Sequence, residues 1–229
     1  MESKCFCPTN PMSRFRHFIT AHQGTLKLLV FTGCLIILAI SVTNGFNLTS
    51  QLGWWIHPQQ RSQKHACEVN LESDYIGLEQ YTADYGGEFP QTGAAVKPGT
   101  GWAFGLQSYT KDFTRLLCPG DDYGGLTANF DDPAKRGYTD FWMNKCLGSK
   151  SSNGLSDPQT LLLLGDGDDG TDRTDSNYTL AAFPPSWMWD TNMPPFRHFL
   201  GANYLFEDGH IQWLKPDQLT GEGAPRFKP

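Results

Sequence analysis

Charge is scarce in this chain and, over one interval, absent. Lys, Arg, Asp and Glu make up 18% of the 229 residues, against about 25% in an ordinary soluble domain. The charge excess that marks disordered chains is therefore missing. Basic residues form no patch outside the N-terminal tail, which argues against nucleic acid as a partner. There is no G-x-S-x-G, no H-E-x-x-H and no glycine-rich phosphate loop after a strand, so the usual local signatures of a nucleophile, a zinc protease or a nucleotide cradle are all lacking. Cysteines number six, and Cys5-x-Cys7 has neither metal-site spacing nor a second pair to complete it.

The charge-free interval runs from after Lys27 to before Arg61, and its core is Leu28–Val42, LLVFTGCLIILAISV. About 20 apolar residues suffice for a helix to cross a bilayer, and in hydrocarbon a single span must be helical to satisfy its own backbone. Lys4, Arg14, Arg16 and Lys27 outweigh Glu2 before the run, whereas the chain as a whole carries −6. This asymmetry places the N-terminus in the cytoplasm and the remainder outside, with the lipid bilayer as a partner. Three readings of the segment compete: a cleaved signal peptide, a permanent anchor and a pilin-type leader. No A-x-A-like site follows the run, which disfavours the first.

What is present suggests one loop-rich extracytoplasmic domain, since Gly (24) and Pro (15) are abundant and about 180 residues suffice for a core. Residues 1–24 read as a cytoplasmic tail or leader, 25–46 as the transmembrane helix and 47–60 as a juxtamembrane linker with Trp54 and Trp55 at headgroup level. The domain proper is 61–215, followed by a frayed tail, 216–229. Arg61–Tyr85 reads as a long amphipathic helix, with Val69, Ile76 and Ala83 spaced by sevens and Leu71, Tyr75, Leu78 and Tyr85 completing a stripe. Gly86-Gly87 ends it. Thr100–Thr110 holds a short helix, while Tyr138–Asn144 and Thr160–Leu164 are strands, the second apolar enough to be buried on both faces. Asn177–Pro195 is irregular. Ala202–Phe206 and His210–Leu214, joined through Asp208-Gly209, form a β-hairpin.

Three stretches together resemble bacterial pseudopilin-like proteins of the type II secretion protein G-like kind, with a prepilin-type N-terminus and a C-terminal H-x9-DG processing-associated domain. They are QRSQKHACEVNLESDYIGLEQYTADYGGEFP; Leu117-Cys118-Pro119-Gly120-Asp121 joined by TLLLLGD; and RHFLGANYLFEDGHIQWL, in which His198 precedes Asp208-Gly209 by the required interval. The resemblance covers about residues 61–214. It implies an α+β, pilin-like fold, with an N-terminal transmembrane helix and a long helix packed on a small antiparallel sheet. It also implies a single pass through the bacterial inner (cytoplasmic) membrane with the C-terminal domain periplasmic, and other pseudopilin-like or secretion-system proteins as partners. The leader departs from the family pattern: Gly24 is followed by Thr25-Leu26-Lys27, with no aromatic residue and with Lys27 where the family carries an acid. Cleavage after Gly24 and use of the segment as a plain anchor therefore both stand.

Several residues invite chemistry. His198, Asp208 and His210 suggest a metal or acid–base cluster, although Asp208-Gly209 is equally what a tight turn requires and His198 can serve to cap it. Asp166, Asp168, Asp169 and Asp172 lie in a loop rich in the oxygen donors calcium takes, yet the loop departs from the EF-hand pattern and also reads as a solvated acidic turn. Cys67, Cys118 and Cys146 fall on the oxidising side, where one disulfide can form and one thiol is left over. The Trp residues at 102, 142, 187, 189 and 213 suit core packing better than sugar stacking. The function expected is non-catalytic: a membrane-anchored pseudopilin-like protein acting by protein–protein association in a secretion, pilus-like or cell-surface assembly, with no obligatory cofactor. The rival is an extracytoplasmic binding module or metal-dependent enzyme using His198, Asp208 and His210 or the Asp166–Asp172 loop.

Overall fold

A computed structural model describes residues 57–93, 97, 100–120, 130–190 and 192–229. The expected leader, the span over 25–46 and residues 47–56 of the linker lie outside these residues. Among the described residues no helix is long and apolar enough to cross a membrane.

The fold is α+β, with one long helix and one five-stranded sheet. Helix α1, Pro58–Asp84, starts with Pro58 in the first turn, where its missing N–H costs nothing. It ends where Gly86 and Gly87 take φ of 69° and 85°. Two single-turn helices follow, α2 (Trp102–Gly105) and α3 (Gln107–Thr110). The strands are β1 (Phe141–Asn144), β2 (Leu162–Asp166), β3 (Thr179–Leu180), β4 (Ala202–Phe206) and β5 (Ile211–Leu214), in the order β3-β1-β2-β4-β5. Every pairing is antiparallel except β1 with β3, which is parallel. The all-antiparallel sheet expected from the sequence is corrected to that extent.

All residues of β1, β2 and β4 are buried, because both faces of the sheet are covered. One face carries Phe141, Met143, Leu163, Leu164 and Leu205, which pack with Cys67, Leu71 and Leu78 of α1 and with Trp102 and Leu106. The other carries Trp142, Leu162, Tyr204 and Phe206, packed with Phe183, Trp187, Phe196 and Phe227. Phe227 stacks on Trp142 with ring centroids 5.4 Å apart. This second layer is irregular chain, held by ring contacts rather than by a second helix. It also corrects the frayed tail: Arg226 N–H donates to the Thr160 carbonyl and its own carbonyl accepts from Leu162 N–H, so the C-terminus lies along the entry to β2. Trp102, Trp142 and Trp187 are core residues, whereas Trp189 is 85% exposed.

The buried side of α1 is Cys67, Asn70, Leu71, Asp74, Gly77, Leu78 and Thr82. It is not the side marked by the heptad-spaced residues. Ile76 is 52% exposed, Ala83 is exposed, and Val69 is only half-buried. The helix thus turns a partly polar stripe inward and part of an apolar stripe outward.

Asp74 is completely buried and neither carboxyl oxygen has a hydrogen-bond partner. Burial pushes its pKa well above the ordinary 3.8, although the charge of Arg115 opposes this. Below pH 3.8 both folded and unfolded chains carry this proton. Above it the unfolded chain releases a proton that the folded chain keeps, so stability falls with rising pH until the folded group ionises. Urea melts between about pH 4 and pH 8 should show this decline, at up to about 1.4 kcal/mol per pH unit from this group. Asp74→Asn should flatten it and be the more stable protein at neutral pH.

The β4–β5 turn meets the helix directly. Gly209 has φ of 86°, and a Cβ there would come within 2.8 Å of the Tyr75 ring of α1. Gly209→Ala should therefore cost at least ~1–3 kcal/mol in a denaturant melt, from the left-handed backbone alone, with the collision against Tyr75 added.

Candidate functional site

Where α1 crosses the sheet, four polar side chains from distant parts of the chain converge. Cys67 lies on the inward stripe of α1, Cys118 just beyond the 3-10 turn Phe113–Leu116, Asp166 at the end of β2, and His198 in the turn leading into β4. All four are buried. Cys67 Sγ is 2.7 Å from Cys118 Sγ and 3.1 Å from Asp166 Oδ1. Cys118 Sγ is 3.1 Å from His198 Nε2, and that nitrogen is 3.7 Å from Asp166 Oδ2. One donor atom from each residue fits within 4.8 Å of all the others.

Local structure fixes each member. The Cys118 N–H donates to Asp140 Oδ2 at 2.7 Å, and the Asn203 N–H donates to Asp166 Oδ2 at 2.6 Å. Asp166 faces α1 because side chains alternate along β2. His198 pairs with Gly201 through two backbone hydrogen bonds, and between them Phe199 and Leu200 both have positive φ, 56° and 62°. Two consecutive residues at positive φ make the two-residue turn that matches strand twist, at a steric cost normally avoided with Asn or Gly. The indole N–H of Trp213 donates to the His198 carbonyl at 2.6 Å. Gly120 lies so near the imidazole that a Cβ would sit 2.7 Å from Cε1.

The electrostatics are coupled. Burial, the Cys118 contact and the charge of Asp166 all push the Cys67 thiol well up. Burial would raise Cys118 as well, but its hydrogen bonds with Cys67 and His198 prevail and lower it to about 6. Burial would lower His198, yet the Cys118 hydrogen bond and the Asp166 charge raise it. The set favours a thiolate at Cys118 facing a protonated imidazole. It differs from a Cys–His–Asp triad, in which the base presents one nitrogen to the nucleophile and the other to the acid. Here Cys118 and Asp166 both face Nε2, and Nδ1 has no partner.

The residues singled out from sequence are redistributed. His198 and Asp166 meet each other, not the partners first assigned to them. Asp208 and His210 hydrogen-bond to one another in the exposed β4–β5 turn, outside the buried cluster that holds His198. The four acids considered for calcium do not converge: Asp166 faces the cysteines, and Asp168 pairs with Arg136. Asp169 Oδ1 accepts from Thr171 and the Asp172 N–H, while Asp172 Oδ2 accepts from the Asp169 N–H and the Tyr178 hydroxyl. Among the described residues Cys67, Cys118, Asp166 and His198 are the one group with metal-holding geometry. Of Cys67, Cys118 and Cys146, the first two are together and Cys146 packs against the opposite core. Asp140 and Asn203, which orient the cluster, carry no signal in the sequence.

No family model, curated protein or solved structure matches the chain.

The strained turn gives a direct test. Leu200 is 52% exposed, so it contributes little packing to offset its left-handed backbone. Leu200→Gly should be neutral or stabilising by up to ~1–2 kcal/mol, measured by thermal or urea unfolding, contrary to the usual cost of introducing glycine.

Proposed function

We propose that this protein is a non-catalytic, membrane-anchored protein of pseudopilin-like type that acts by protein–protein association in a secretion, pilus-like or cell-surface assembly. The observation that carries the proposal is the orientation of α1. The helix is fixed to the sheet by its partly polar stripe and has Val69, Ile76 and Ala83 on the other side, with Val69 half-buried and the other two exposed. A solvent-facing apolar line at heptad spacing is what a second helix packs against. The apolar run Leu28–Val42 precedes this helix in sequence and would set its place at the bilayer. The sequence resemblance around His198 and Asp208-Gly209 supports the same reading, as does the α+β architecture with a long helix over a mainly antiparallel sheet.

The intact mass of the protein recovered from host membranes separates two forms of the proposal. Loss of residues 1–24 would mark processing of a prepilin-like leader, and a full-length chain would mark a permanent anchor. Association itself is tested by cross-linking in membranes. Ile76→Lys should leave unfolding stability within about 0.5 kcal/mol while reducing cross-linked multimers several-fold. Multimers unchanged in Ile76→Lys, or none in the unaltered protein, would remove the helix face from the account.

A further inference from the structure

Two thiols, one imidazole and one carboxylate meet in the buried seam between α1 and the sheet. Burying such groups is costly unless each is partnered. A disulfide between Cys67 and Cys118 would account for the sulfurs, but it would remove the thiol facing Asp166 Oδ1 and give His198 and Asp166 no further role. A metal ion accounts for all four groups at once.

We propose that Cys67, Cys118, Asp166 and His198 bind one zinc ion in a closed tetrahedral site that ties α1 to the sheet. The donor set suits zinc, which takes sulfur, imidazole nitrogen and carboxylate oxygen in tetrahedral array. Thiolates disfavour calcium and magnesium, which select oxygen donors. Four protein ligands shut away from solvent are the arrangement of structural sites; catalytic zinc keeps one position for water or substrate. The donor atoms already lie within 4.8 Å of one another, and an ion at their centre would stand about 2.0–2.3 Å from each. The sulfur pair, 2.7 Å apart, is about 1 Å shorter than the edge a zinc tetrahedron needs. The 3.1 Å contacts of Cys67 with Asp166 Oδ1 and of Cys118 with His198 Nε2 are about 0.4 Å short, and all three edges open as the ion enters. Binding releases two protons to solvent, one from the Cys67 thiol and one from the His198 imidazolium, whose Nε2 must be free to ligate.

The outer contacts are of the kind that orient metal ligands. The Asn203 N–H holds Asp166 Oδ2, leaving Oδ1, on the Cys67 side, to face the ion. Asp140 anchors the Cys118 backbone. His198 offers Nε2 from a turn held by Gly201 and Trp213. The ion would thus join four segments that are remote in sequence. The inference does not depend on the association reading, since metal content and multimer formation are measured separately.

The test uses the full chain, extracted in detergent under reducing conditions and dialysed against metal-free buffer. Elemental analysis should find about one zinc per chain. Replacement by cobalt should give the intense visible bands of a tetrahedral site together with a thiolate-to-metal charge-transfer band. Cys118→Ser should lose most of the bound metal and the charge-transfer intensity, while Cys146→Ser keeps both. Three results would overturn the proposal. One is a Cys67–Cys118 disulfide recovered by peptide mapping of thiol-blocked protein taken directly from the host. The second is zinc retained equally in Cys118→Ser. The third is a reduced, folded chain that takes up neither zinc nor cobalt. The cobalt spectrum is read on the unaltered protein, so the test survives a variant that fails to fold.

Discussion

The fold depends on how α1 is held against the sheet, and that contact is only partly hydrophobic. Leu71 and Leu78 supply apolar burial, but Cys67, Asn70 and Asp74 share the same stripe. Asn70 Nδ2 donates to the Leu117 carbonyl at 2.8 Å, and its Oδ1 accepts from Arg115 at 3.1 Å. Cys67 faces Cys118 and Asp166. Apolar contacts tolerate sliding, whereas buried polar groups are satisfied in one register only. The helix is therefore located along its own axis by polar contacts, all to segments far away in sequence. The opposite face of the sheet solves its burial differently, with interlocked rings of Trp142, Phe183, Tyr204 and Phe227.

This division explains which parts of the fold were legible. Local signals were accurate: Gly86-Gly87 ended the helix, Asp208-Gly209 made the hairpin, and the unbroken leucines of β2 marked a strand covered on both sides. The orientation of α1 was legible in part: Leu71 and Leu78 of the expected stripe are buried, but the heptad-spaced Val69, Ile76 and Ala83 turn away, because hydrophobic spacing finds an apolar face and the inward face here is half polar. The two-residue strand β3 and the docked C-terminus were hidden for a related reason. Both are fixed by partners elsewhere: β3 by β1, and Arg226 by Thr160 and Leu162. No local pattern encodes such pairings.

The candidate site was half visible in the same sense. Cys67, Cys118, Asp166 and His198 were each singled out, but under three separate headings: a disulfide, a calcium loop and a hairpin cluster. The calcium loop and the hairpin cluster paired residues with near neighbours in sequence, where proximity is cheap to guess; the cysteine grouping alone reached across the chain, and Cys67 and Cys118 do meet. Asp208 and His210 do meet, as residues two apart on a turn readily can. The cluster itself closes loops of 51 residues between the cysteines and 80 between Cys118 and His198. It could be recognised only once the sheet order brought the end of β2 beside the start of β4.

That order also gives a physical reason for the spacing between His198 and Asp208-Gly209. The interval contains one two-residue turn and the five residues of β4, and both ends of the strand return to the same helix. At one end His198 enters the cluster with Cys67; at the other Gly209 closes on Tyr75. Cys67 and Tyr75 are eight residues apart, a little over two turns of helix, so they lie on one side of α1 at separate heights. A strand clamped to a helix at two heights is fixed in direction as well as in position. Changing the interval by one residue would turn one end of β4 to the opposite face of the sheet and release one clamp. The spacing is thus a length constraint between two contacts on α1.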